Sequence, residues 1–226
     1  MKKILFGAFA SCLFLLSCSK SDDTPAAAEK YLSVSAGSTW NYQFTDNMNP
    51  LNSNTYTLTS SSSDTSAAGK LYHVFTNSNG PNQYYNITGS DYYRLQAFSL
   101  GTTDTTLENL YLKDGAALNS TWAQIYTINV AGIPGGVGVT VTNKIQDKGN
   151  TKVVGTTTYS NVIHVVTTIS IPALTGLGTI TTDIHYYYAP KFGMIENDVK
   201  IDLVSVALGL DQHNDSKTTL TSANIL

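Results

Sequence analysis

The chain has 226 residues, with 13 Lys+Arg against 16 Asp+Glu, a formal charge of −3 and a pI near 5.7. Only 13% of residues are charged, and Thr, Ser, Asn, Gly and 14 Tyr take their place, a composition suited to β-structure with polar but uncharged outer faces. So few cations on an acidic chain leave no basic patch, so no nucleic-acid partner is expected.

Met1-Lys2-Lys3 gives a positive start, and Ile4 to Leu16 is an uncharged apolar and small run. The run is shorter than the roughly 20 residues a membrane span needs, and a polar stretch follows at once. The segment Leu15-Leu16-Ser17-Cys18 resembles the lipobox of bacterial lipoproteins, with Leu16 where a small residue is commoner. The resemblance implies that residues 1–17 are a cleaved signal and that Cys18 is lipidated, making a membrane the first partner. Several acyl chains on one residue anchor firmly where a single chain does not. Ser19, rather than Asp, after the cysteine implies the outer membrane. Lys20 and Asp22-Asp23 resemble a surface-export signal, although a solvated acidic linker reads the same way.

Loss of Lys2 and Lys3 leaves 11 basic against 16 acidic residues, a charge of −5. Cys12 lies in the leader and Cys18 is the lipid site, so the body has no disulfide, thiolate metal site or cysteine nucleophile. Residues 18–30 read as a polar flexible tether and 31–226 as a single all-β domain.

Ala36-Gly37-Ser38 turns into a first strand in which Trp40, Tyr42 and Phe44 share one face. Strands are expected at Thr55–Ser61, Lys70–Thr76, Gln83–Thr88, Tyr92–Phe98 and Leu107–Lys113, with a short helix at Thr105–Leu112 as the alternative to the last. Gln124, Tyr126, Ile128 and Val130 face Val137, Val139, Val141 and Ile145 across a loop at 131–136, with Val130 set opposite Val137. A second hairpin sets Ile163, Val165, Ile169 and Ile171 against Ile180, Ile184, Tyr186 and Tyr188, with Ile169 opposite Ile180. Ile195, Val199, Ile201 and Leu203 then alternate with Glu196, Asp198, Lys200 and Asp202, and Thr218–Ser222 is an edge strand.

Roughly ten antiparallel strands in one domain must curl or close to hide their edges. The expected fold is all-β, a strongly curved antiparallel sheet or barrel-like body, with a β-sandwich as the alternative. Gly37-Ser38-Thr39-Trp40-Asn41-Tyr42 and Tyr187-Tyr188-Ala189-Pro190-Lys191-Phe192-Gly193-Met194-Ile195-Glu196 resemble the opening and closing segments of Bacteroides-type outer-membrane lipoproteins. That resemblance implies a curved sheet similar to LolA/LolB or lipocalins, and no activity.

Four groupings could carry function. His164 falls opposite His185 on the second hairpin, with Asp183 on the same face, which could hold Zn²⁺; two half-exposed histidines on a polar face is the plainer reading. Glu196, Asp198 and Asp202 could serve hydrolysis only if one carboxyl sat in an apolar pocket. Tyr84-Tyr85, Tyr92-Tyr93 and Tyr186-Tyr187-Tyr188 could present rings to a surface glycan, or place one ring of each set inside. The apolar hairpin tips, Ile133-Pro134 and Ala173-Leu174 with Leu177, either admit an apolar ligand or protein partner or plug the core. The sequence therefore points to a membrane-anchored binding protein rather than an enzyme, with no cofactor. A glycan-binding module comes next, and a metal-dependent hydrolase third.

Overall fold

The computed structural model describes residues 29–100, 103–130 and 133–226. The leader, Cys18 and the tether through residue 28 lie outside the described residues. Chain order gives twelve strands: β1 (Thr39–Asp46), β2 (Asn54–Ala67), β3 (Lys70–Asn77), β4 (Gln83–Thr88), β5 (Asp91–Leu100), β6 (Thr103–Lys113), β7 (Thr121–Val130), β8 (Ile133–Val154), β9 (Thr157–Ser170), β10 (Thr179–Ala189), β11 (Gly193–Ser205) and β12 (Leu210–Asn224). They form one antiparallel sheet, ordered β6-β5-β4-β3-β2-β1-β12-β11-β10-β9-β8-β7. Every strand thus pairs with its neighbours in sequence, save across the β6–β7 step, and β1 pairs with β12. The order is circular except at β6–β7, so the sheet nearly closes into an up-and-down barrel.

The all-β expectation holds, with twelve strands rather than roughly ten and one sheet rather than a sandwich. The residues weighed as a helix at Thr105–Leu112 lie in β6. Thr218–Ser222 is no edge: it lies in β12, flanked by β1 and β11. The body is tied down from Lys30 onward. Lys30 O accepts from Lys191 N at 2.7 Å, and Tyr31 N donates to the buried Tyr92 hydroxyl at 3.0 Å.

Both expected hairpins form, each two residues out of the expected register. Ile128 faces Val137 rather than Val139, and Tyr186 faces Val165 rather than Ile163. A two-residue slip keeps every side chain on its expected face, since strand side chains alternate with period two. The turns decide the difference. Pairing resumes at Val130–Ile133, so 133–136 belong to β8 rather than to the expected loop, and a bulge takes up Gly136. Gly136 has φ +74°, and a Cβ there would lie 2.7 Å from the Ile128 carbonyl oxygen, so only glycine fits.

At β6–β7 the gap in the ladder is closed by side chains. Gln124 Oε1 accepts from Leu110 N at 2.6 Å, and Gln124 Nε2 donates to Glu108 O at 3.1 Å. Tyr126 donates to Glu108 O at 2.8 Å, and Trp122 Nε1 to Leu110 O at 2.7 Å. These bonds satisfy backbone groups that an unpaired edge would otherwise leave open.

The interior holds two apolar clusters. One gathers Trp40, Tyr42, Phe75, Tyr92, Leu112, Ile145, Ile163, Tyr188 and Ile195. The other gathers Ile128, Val137, Val139, Ile171, Leu174, Leu203 and Leu210. The space where they meet is the functional candidate.

Candidate functional site

Between the two clusters lies a cavity of about 130 Å³. Its apolar wall comes from Leu107 on β6, Ile128 on β7, Val139 and Val141 on β8, Ile169 on β9, Ile184 on β10 and Val199 and Ile201 on β11, with the rings of Tyr111, Tyr126, Tyr186 and Tyr188. Each is an inward member of an alternating strand, which is why one sheet can line a continuous apolar chamber.

One wall is different. Arg94, Gln96 and Asn109 face the same cavity. Arg94 is the chain's single arginine. It lies deep among Tyr85, Tyr186 and Tyr188 yet keeps some accessible surface, because that surface faces the cavity. Its Nη2 donates to Gln96 Oε1 at 2.6 Å. Among the described residues no carboxylate pairs with it, and its Nε and the Asn109 Oδ1 are buried without a partner. Burial opposes the guanidinium's charge, while the surrounding phenols favour it and leave its pKa raised. Burial in turn pushes the Tyr111 and Tyr188 hydroxyls well up, so they stay protonated as donors. On the far side of Arg94 a smaller cavity of about 50 Å³ is bounded by Trp40, Phe75 and Tyr85.

The outer side of the same wall is polar. His164 on β9 and His185 on β10 meet, with His164 Nε2 2.8 Å from His185 Nδ1. They meet diagonally, since Tyr187, not His185, is the direct partner of His164. Asp147 Oδ2 lies 3.0 Å from His164 Nδ1, and Asp183 Oδ1 lies 2.7 Å from His185 Nε2. Asp183 therefore caps the far side of its ring instead of converging on a point with both histidines, as the expected zinc trio required. Among the described residues no group of three His, Cys, Asp or Glu forms a metal cage. Burial, followed by the proximity of His185 and Lys152, lowers the His164 pKa against the opposing pull of Asp147.

The other expected groupings are placed as follows. Glu196 is nearly buried between two ammonium groups, Lys152 at 2.9 Å and Lys217 at 3.1 Å. Asp198 is exposed, and Asp202 contacts His213 at 2.8 Å. None of the three sits alone in an apolar pocket, so the paired-carboxylate arrangement is absent there. Tyr85, Tyr92, Tyr186 and Tyr188 point inward. Of the outward rings, Tyr93 lies under Lys70 Nζ at 3.4 Å. Tyr187 is held between the His164 ring at 4.3 Å and Lys152 Nζ at 3.6 Å, so both its faces are covered. Leu174 is buried in the second cluster within a 3₁₀ turn, Pro172–Leu174, while Leu177 is half exposed. The side chains of Ile133 and Pro134 lie outside the described residues.

Two features escaped the sequence reading. One is Arg94. The other is a Ser60–His73–Asp64 chain, with Ser60 Oγ 2.9 Å from His73 Nε2 and His73 Nδ1 2.8 Å from Asp64. It has the order of a hydrolytic triad, but Ser60 is 1% exposed and its Oγ is 3.0 Å from the Val34 carbonyl, which leaves no room for an acyl substrate.

No family model matches the chain, and no curated protein matches it. Two solved structures are similar in fold. One, assigned as a lipoprotein of Parabacteroides distasonis ATCC 8503, shares 10% identity and a TM-score of 0.44 over 87% of this chain and 99% of that one. The other, assigned as an exported protein with a YmcC-like fold from Bacteroides fragilis NCTC 9343, shares 9% identity and a TM-score of 0.41 over the same shares.

Proposed function

We propose that this protein is a cell-envelope lipoprotein that binds a small apolar molecule carrying one acidic group. The observation that carries this reading is Arg94, a guanidinium that among the described residues has no carboxylate partner, inside an apolar and aromatic chamber. Leaving a buried charge uncompensated costs several kcal/mol, so an arginine in that place is poor for stability alone. A bound carboxylate would complete the guanidinium fork, with the Asn109 and Gln96 amides beside it. The apolar wall would take the rest of the ligand. A cavity of about 130 Å³ is close to the roughly 150 Å³ that takes a benzene ring, which sets the ligand's apolar part at ring size or a short branched chain. The reading is one of binding: the polar groups that line the chamber are Arg94, Gln96, Asn109, Asn143, Thr167 and four tyrosines, set around an apolar wall. Lipidation at Cys18 would hold the β body at the outer membrane.

Calorimetric titration with benzoate, hexanoate and the neutral benzyl alcohol tests the site. An acid should bind at least about tenfold more tightly than the alcohol, and Arg94→Gln should remove that preference. Absence of binding by either acid, or equal binding by Arg94→Gln, ends the proposal. Separately, labelled palmitate should enter the expressed chain and be lost in Cys18→Ser.

A further inference from the structure

The outer histidine pair has a charge pattern that its neighbours impose. An ionised carboxylate only accepts hydrogen bonds. Asp147 therefore requires the N–H of His164 on Nδ1, and Asp183 requires that of His185 on Nε2. In the neutral imidazoles both inner nitrogens, His164 Nε2 and His185 Nδ1, are then lone pairs, and they stand 2.8 Å apart. The ring centres are 5.1 Å apart, which is the nitrogen gap plus the two ring radii, so the lone pairs aim at each other along one line. Two lone pairs in that position repel unless a cation sits between them.

We propose that His164 and His185 form a two-coordinate metal site for a monovalent soft ion, copper(I) or its mimic silver(I). Asp147 and Asp183 hold the two rings. A carboxylate on the outer N–H of each ligating imidazole is the arrangement that fixes tautomer and ring direction in metal sites. The line of approach selects the ion. A linear N–metal–N bridge with the metal about 2 Å from each nitrogen needs the rings about 1 Å further apart along the line they already share. Tetrahedral Zn²⁺ would need both rings swung off that line, and among the described residues it finds no third protein ligand. Solvent reaches the pair: the His185 side chain is 30% exposed, and a groove of about 200 Å³ lined by Asp147, Lys152, His164 and Tyr187 runs alongside.

The test uses the chain without residues 1–17 and with Cys18→Ser, which removes its last thiol. Titration with Ag⁺ in chloride-free buffer, and with Cu⁺ under ascorbate, should show one site per chain and a raised melting temperature. His164→Ala and the more exposed His185→Gln should each abolish the site, and Asp147→Asn should weaken it 10- to 100-fold. His213→Ala, at a histidine with an aspartate on each ring nitrogen, should leave it unchanged. Tighter binding of Zn²⁺ than of Ag⁺, binding that survives His185→Gln, or no binding because the pair holds only a proton would each overturn the proposal.

Discussion

Strand β10 separates two regions with opposite treatments of charge. Its inward residues Ile184, Tyr186 and Tyr188 line the chamber around Arg94, where a single cation has no counter-ion among the described residues. Its outward residues Asp183, His185 and Tyr187 join a network: Asp183 contacts His185 on its own strand, His185 meets His164 on β9, and Tyr187 lies under Lys152 of β8. The difference runs against stability. Partnered outer charges sit near water, where each pair contributes only about 0–1 kcal/mol. The unpartnered inner charge sits where its desolvation costs most. Outer polarity is what a solvated sheet face needs. The inner guanidinium needs another reason, and the proposed acidic ligand would supply one.

The sharpest contrast should come from neighbouring tyrosines on β10. Tyr188→Ala, at a 3% exposed ring packed on Tyr111 and Tyr186, should cost about 3–5 kcal/mol in urea unfolding, and Tyr187→Ala, one residue away on the outer face, about 1 kcal/mol. Equal losses would mean that the two sides of the wall do not differ in packing. Arg94→Met tests the electrostatic half. It should leave stability unchanged or raise it by about 1–3 kcal/mol while abolishing acid binding; a large loss of stability would make Arg94 a structural residue.

The seam is expected to respond less. Gln124→Ala removes the bonds to Leu110 N and Glu108 O and should cost about 1–2 kcal/mol, with hydrogen exchange rising at β6 amides before those of β1 and β12. The smallest effect belongs to the outer face. His213 bonds Asp202 at 2.8 Å and Asp211 at 2.9 Å, which raises its pKa above that of an unfolded histidine. Its charged form is then favoured in the folded state. Its contribution is full below the unfolded value of about 6.5 and fades as pH rises through the folded value. A proton NMR titration should show the raised midpoint in the wild type and its return toward 6.5 in an Asp202→Asn, Asp211→Asn double variant.

The faces of the strands were legible in the residues themselves. Trp40 and Tyr42, Ile163 and Val165, and Leu203 point inward as their alternation requires, because a period of two assigns a side chain's face without reference to any other strand. The meeting of His164 and His185 was legible for the same reason: a slip of two residues moved them from opposite to diagonal without changing their side. Register was not legible, since an alternating pattern matches itself at every second residue. The bulge at Gly136 and the turn at Pro172–Leu174 settled it. Arg94 could not be placed either. It shares its face with Tyr92 and Gln96, and a strand with one polar and one apolar face normally turns an arginine to water. Its being the chain's single arginine, between tyrosine and glutamine on one face, was the available signal.

The sequence by itself thus determined an all-β chain, the inward and outward sets along most strands, and a leader that resembles a lipoprotein signal. Only the tertiary structure decided that β1 meets β12, that β6 and β7 are joined by side chains, and that Arg94 lies inside. The reason is physical: alternation is a local property of each strand, whereas closure and enclosure depend on which strands meet and in what register.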